Sequence, residues 1–202
     1  IYAMDSIEVV GVRSIDMRVH IGEVVVLKGE SGSGKSTLLS LLAGLDQPTS
    51  GKLIVAGRDL KNASEAMLTA FRREVVGMIF QNFNLLPTLT VLENVTLPGL
   101  LAGRQHESVK EKALGLIECM DLVKRSGHYP AQLSGGEMQR TAIARALVND
   151  PLVILADEPT GNLDSRNSER VVKLLEEIND EGKRTLVIAT HSTIADHMAT
   201  MQ

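Results

Sequence analysis

Apolar positions along this chain follow two different periods. Val24 to Leu27, Val75 to Phe80, Leu152 to Ala156 and Thr185 to Ala189 are short, nearly continuous apolar runs, the pattern of strands buried on both faces. Ile7, Val9, Val10 and Val12, then Ile15, Met17, Val19 and Ile21, alternate in part and predict strands over 7–27. A short strand is expected over Lys52 to Ala56, after the turn-rich stretch Asp46 to Gly51. Helical spacing takes over elsewhere. Leu38, Leu39, Leu41, Leu42 and Leu45 predict a helix that is apolar almost all round. Residues 64–73 predict another, with Ser64 as N-cap. Thr90-Val91-Leu92-Glu93 is a capping box opening a helix that Pro98-Gly99 should interrupt. Val109, Ala113, Leu116, Ile117 and Met120 share one face of a further helix, and Val171, Val172, Leu174, Leu175 and Ile178 mark an amphipathic one. Strands alternating with helices imply an α/β fold with a mostly parallel core sheet. An antiparallel β portion is expected on the N-terminal side, and a helical subdomain at about 82–133, within one domain over 1–202.

Chemistry enters at Gly29-Glu30-Ser31-Gly32-Ser33-Gly34-Lys35-Ser36-Thr37, which fits G-x-x-x-x-G-K-[ST] between a strand and a helix. Glycines there let successive amides turn toward phosphate oxygens, and the helix start adds its own free amides. Lys35 is expected to reach the β- and γ-phosphates, and the Ser36 hydroxyl to ligand Mg²⁺. Asp157 and Glu158 end a buried strand, where ligands of open α/β sheets bind. Asp157 can hold Mg²⁺ and Glu158 can polarise a water for attack on the γ-phosphate.

Leu133-Ser134-Gly135-Gly136-Glu137 contains a second capping box. A cap explains Ser134 and Glu137 but not two adjacent glycines, each about 1 kcal/mol worse than Ala inside a helix. Bare amides at a helix start form a second phosphate site. The triphosphate is already cradled, so this site points to a head-to-tail dimer. In it each Ser134-Gly135-Gly136 covers the partner copy's γ-phosphate.

These residues resemble the ATP-binding subunits of ABC transporters, in motif order, over almost the whole chain. Walker A is Gly29 to Ser36, the Q-loop glutamine is Gln81, the signature is Leu133 to Glu137, and Walker B is Leu152 to Asp157. The D-loop is Gly161-Asn162-Leu163-Asp164 and the switch histidine is His191. The resemblance implies an ABC ATPase of the P-loop NTPase class that uses ATP and Mg²⁺. Gln81 would sense Mg²⁺ and the attacking water, Asp164 would lie near the dimer seam, and His191 would contact the γ-phosphate. Tyr2 resembles the aromatic that stacks on adenine. Gly44-Leu45-Asp46, Pro48-Thr49-Ser50-Gly51, Glu93-Asn94-Val95 and Glu158-Pro159-Thr160 narrow the resemblance to lipoprotein-releasing, macrolide-exporting and cell-division ATPases. A transmembrane permease subunit and a place on the inner face of the cell membrane, from the cytoplasm, are implied. Glu137 stands where glutamine is commoner, and further strands are expected at both ends, so the chain reads as truncated there.

A net charge of −4 is no basic field, and nucleic acid is not expected as the main partner. No apolar run reaches the length of a membrane span, and no secretory signal is evident. The single cysteine, Cys119, suggests a reducing compartment and reads as a buried thiol. His20, His106, His128 and His197 read as surface residues. A non-transport ABC ATPase, or a regulatory module that binds ATP without turnover, remains the alternative. Coiled-coil insertions and a second cassette, marks of the non-transport types, are absent. The Asn-Lys-x-Asp motif of GTPases is absent too.

Overall fold

The computed structural model describes residues 2–4, 7–9, 11–30, 32–182 and 184–200, with side chains described for 11–30, 32–180 and 184–200. Strands β1 (Tyr2–Met4) and β2 (Ile7–Val9) pair antiparallel. They are followed by β3 (Val24–Leu27), α1 (Lys35–Leu42), and a hairpin of β4 (Ile54–Val55) and β5 (Arg58–Asp59). Then come α2 (Glu65–Glu74), β6 (Val76–Ile79), α3 (Val91–Leu101), α4 (His106–Cys119) and α5 (Gly135–Leu147). Strand β7 (Val153–Asp157), α6 (Ser165–Gly182) and β8 (Thr185–Ala189) complete the order.

Among the described residues the core sheet has four parallel strands in the order β3-β8-β7-β6. Its two faces are separately sealed. Val24, Val26, Ile79, Ile154, Ala156, Leu186 and Ile188 join α3 to α6 in one buried cluster. Val25, Val153, Leu155, Val187 and Ala189 join α1 and α2 through Leu39, Leu68 and Phe71 in the other. Each large side chain so buried contributes roughly 1.5–3 kcal/mol of hydrophobic stabilisation. Period-two alternation on two apolar faces is why these strands read as unbroken apolar runs.

Several expectations need correction. Residues 11–22 are not strand: Ile21 is 90% exposed and Ile15 48%, and alternation without a partner strand makes no ladder. The antiparallel β portion expected toward the N-terminus is present, among the described residues, as two separate two-stranded ladders. The second is a tight hairpin whose central residues, Ala56 (φ 47°) and Gly57 (φ 76°), both take the left-handed conformation. Helix α1 ends before Gly44, whose φ of 64° reverses the chain, so Leu45 is exposed. Pro98 does not interrupt α3, which runs to Leu101. The helix continues because Val95 is buried beneath it and Gly99 lies flat on Val109 of α4, leaving no room for a Cβ. Cys119 is exposed, two positions past Ile117, the last of the buried stripe of Val109, Ala113 and Ile117.

Gly77 of β6 faces α5. A Cβ there would stand 2.6 Å from the Ala146 carbonyl oxygen and 3.0 Å from Pro151. Backbone cannot yield as a flexible side chain does. Gly77→Ala is expected to cost about 1–3 kcal/mol, and a urea unfolding curve unchanged in midpoint would contradict this packing.

Candidate functional site

Parallel strands all end on one edge, so four connections emerge together. They carry the glycine-rich loop after β3, Gln81 after β6, Asp157-Glu158 at the end of β7, and His191 after β8. In the loop, Gly32 (φ 83°) and Gly34 (φ 92°) occupy the left-handed region. A Cβ on Gly34 would fall 2.3 Å from the Gly11 carbonyl oxygen, so glycine is demanded by space as well as by φ. Gly34 is the N-cap of α1 and lends it no side chain, which leaves the first amides of that helix open to an anion. Lys35 Nζ donates to the carbonyls of Gly29 (2.6 Å) and Glu30 (3.0 Å), which holds the ammonium across the loop. Ser33 N–H closes the loop onto the Glu30 carbonyl at 3.2 Å, and Thr37 lies half-buried in the first turn of α1. Ser31 lies outside the described residues, as does the side chain of Tyr2, whose backbone pairs with Val9.

Ser36 Oγ donates to Asp157 Oδ1 at 3.1 Å. Hydroxyl and carboxylate oxygen are hard donors. They suit Mg²⁺, which takes one or two protein ligands and fills the rest with water and phosphate.

Glu158 stands in the left-handed region at φ 45°, its N–H on the Ala189 carbonyl at 2.8 Å. That turn aims its carboxylate at the end of β8. Thr190 Oγ1 donates to Oε2 at 3.1 Å, and His191 N–H donates to Oε1 at 3.1 Å. His191 Nδ1 lies 2.9 Å from the same Oε1, a contact that requires the proton on Nδ1. The Glu158 side chain is 13% exposed and that of His191 68%. A shielded carboxylate is thus held by three donors at the lip of an open pocket that Thr160, Gly161, Ser168 and Ser192 also line.

Gln81 is exposed at the end of β6. A Cβ on Gly161 would lie 3.1 Å from its Nε2, so the glycine admits the amide beside Glu158. Ser134 caps α5. Glu137 Oε2 accepts from the Ser134 N–H (2.8 Å) and hydroxyl (2.9 Å), and Arg125 Nε donates to Oε1 at 2.8 Å. Gly136 has a packing reason as well: a Cβ would meet Asn167 Oδ1 at 2.3 Å. Asn167 in turn is held by Asp164, which accepts its N–H (2.9 Å) and its amide (2.7 Å). These two bonds hold the Asp164 carboxyl below the usual range. Among the described residues no hydrogen bond joins Ser134, Gly135 or Gly136 to the loop at 29–37.

Ser36 with Asp157, and Glu158 with His191 and Gln81, are therefore gathered within one chain, while the signature lies apart. Thr190, Asn162 and Arg145 also enter this network. Their polar partners are largely backbone atoms, which leave no mark in a sequence.

A parallel sheet with a phosphate loop and a carboxylate pair at its carboxyl edge defines a P-loop nucleotide hydrolase. The family model described as ABC transporter matches residues 12–161, and the chain belongs to that family. It is an ATP-binding and ATP-hydrolysing subunit of the kind that drives a membrane permease. It is 46% identical over 192 residues to an uncharacterized ABC transporter ATP-binding protein of Thermotoga maritima, covering 95% of this chain and 82% of the relative. It is 48% identical over 177 residues to the lipoprotein-releasing system ATP-binding protein LolD of Treponema denticola, covering 88% of this chain and 78% of that one. Identity is also 48% over 183 residues with the macrolide export ATP-binding/permease protein MacB of Rhodopseudomonas palustris, covering 91% of this chain but 28% of MacB. Among solved structures, a dimeric post-hydrolysis state of the ATP-binding cassette MJ0796 bound to ADP and Pi superposes with a TM-score of 0.89 at 40% identity. That match covers 96% of this chain and 86% of that one. No helix among the described residues is long and apolar enough to cross a membrane.

The Arg125 hydrogen bond, with the Ser134 N–H second, lowers the Glu137 pKa from 4.5 to about 2. A carboxylate lowered on folding stabilises the fold above its unfolded value, and that contribution fades as pH falls toward 2. Glu137→Gln is expected to remove about 1 kcal/mol of acid-dependent stability after allowance for solvent screening. Melting temperatures of both proteins between pH 6 and 2.5 should converge as pH falls; parallel curves would contradict it.

Proposed function

We propose that two copies of this chain close head to tail on ATP and Mg²⁺, and that hydrolysis reopens them and moves a membrane permease. Gly29 to Thr37 cradle the phosphates, and Lys35 neutralises the β- and γ-phosphates. Ser36 and Asp157, with Gln81, would hold Mg²⁺, which supplies charge neutralisation at the phosphates when bound. Glu158 orients the attacking water and takes its proton. His191 holds the Glu158 carboxylate in place and faces the γ-phosphate side. Ser134, Gly135 and Gly136 of the second copy close the site, with Asp164 near the seam, and Tyr2 stacks on the adenine. Phosphoryl transfer to water rests on positioning and charge neutralisation, and these groups supply both.

The observation that carries this reading is the pairing at the sheet edge. Asp157 is bonded to Ser36 of the phosphate loop, while the adjacent Glu158 is clamped by Thr190 and His191, which follow β8. Consecutive carboxylates thus face two different tasks. The cassette MJ0796 is dimeric with ADP and Pi, which supports the composite site. The relatives named for lipoprotein release and macrolide export support a permease of that group, with this chain on the cytoplasmic face of the membrane. We also assign 1–202 to one ATPase domain in which about 82–133 forms a helical subdomain.

Glu158→Gln is expected to keep ATP binding, lower turnover by roughly 10²–10⁴-fold and accumulate an ATP-bound dimer. Light scattering that shows only monomer with ATP would count against the composite site. Lys35→Ala is expected to weaken ATP binding about tenfold or more, read by titration with a fluorescent nucleotide. Unchanged affinity would contradict the role given to the ammonium.

A further inference from the structure

The turn that follows Gln81 is held by an unusual set of bonds. Phe83 (φ 60°) and Asn84 (φ 48°) are consecutive non-glycine residues in the left-handed region. Such conformations cost about 1–3 kcal/mol each and persist where the surroundings over-determine them. The surroundings here are two side chains from other elements. Arg145 of α5 donates from Nη2 to the Phe83 carbonyl at 2.7 Å and from Nη1 to the Asn84 carbonyl. Two successive carbonyls fit the planar fork of a guanidinium. Among the described residues the hydrogen bonds of Arg145 run to these two carbonyls, and burial pushes its pKa down. Asn162 donates from Nδ2 to the Gln81 carbonyl (2.9 Å) and to Asn82 Oδ1 (3.2 Å).

We propose that Arg145 and Asn162 are positioning residues that tie the Gln81–Asn84 turn to the helix bearing Ser134-Gly135-Gly136 and to the loop after Glu158. The Gln81 amide is then presented to the site only when those two elements are in place. The inference rests on Gln81 acting in turnover as proposed above. Arg145 grips the turn at one end of α5, and the signature glycines open the other. A shift of α5 therefore reaches Gln81 through backbone carbonyls, without any change at the phosphate loop.

The test uses the full chain with ATP and Mg²⁺, comparing Arg145→Lys, Arg145→Met and Asn162→Ala with Gln81→Ala and the corresponding double variants. Each single variant is expected to lower kcat about tenfold or more with KM for ATP within about twofold, since misplacement of a positioned group costs rate rather than binding. Amides of 82–86 should exchange with solvent faster while the melting temperature changes little. Added to Gln81→Ala, Arg145→Lys should cause no further loss, because both act through one group. Losses that multiply, or a wild-type kcat in both Arg145→Lys and Asn162→Ala, overturn the proposal. A Gln81→Ala protein with wild-type kcat instead removes the role given to Gln81, and this inference with it. If Arg145→Met does not fold, Arg145→Lys and Asn162→Ala carry the same comparison.

Discussion

The register of β7 between β6 and β8 is the constraint on which the rest depends. Asp157 lies opposite Ala189 and Ala156 opposite Ile79, so the ends of three strands are level. Leu27 of β3 is level with Ala189 as well. A slip of one residue would turn every buried side chain of β7 to the wrong face. A slip of two would keep the faces but carry Asp157 roughly 7 Å along the sheet, out of reach of Ser36. Two sealed apolar faces forbid the first error, and the hydrogen-bond ladder resists the second.

Helix α5 is the second organiser, and it is unusually polar for a buried element. Arg140 donates to the Met120 carbonyl at 2.9 Å, which fastens the helix to the end of α4. Its Ala146 lies against Gly77 of β6, and its Arg145 grips the turn beyond Gln81. Ser134 and Glu137 cap its start, with Arg125 completing the cap. One rigid rod thus touches the signature, the sheet and the glutamine turn. Buried polar groups matched to backbone acceptors specify its position in a way that apolar contact alone would not.

Glycines here serve two demands that a sequence does not separate. Gly34 needs both a left-handed φ and the absence of a Cβ against Gly11. Gly136, read as a bared amide for phosphate, is also where the start of α6 lies against α5 through Asn167. The two reasons are compatible. A residue without a side chain leaves its amide open on one side while admitting a neighbour on the other.

The amino-acid sequence by itself determined whatever is local. The phosphate loop, the capping boxes at Thr90 and Ser134, and the apolar runs of β3, β6, β7 and β8 each fit within a few residues, and each is present. Asp157-Glu158 was legible for the same reason. Local pattern failed where a distant partner decides. Ile15 to Ile21 alternate, yet among the described residues no strand pairs with them, and alternation alone forms no ladder. Pro98 stays within a helix that is held on either side of it, by buried Val95 and by Gly99 against Val109, and Cys119 faces solvent because of where α4 meets its neighbours. Only the tertiary structure brought Arg145 and Asn162 onto the turn after Gln81. Their partners are largely carbonyl oxygens, which every residue carries alike, so no residue type announces them.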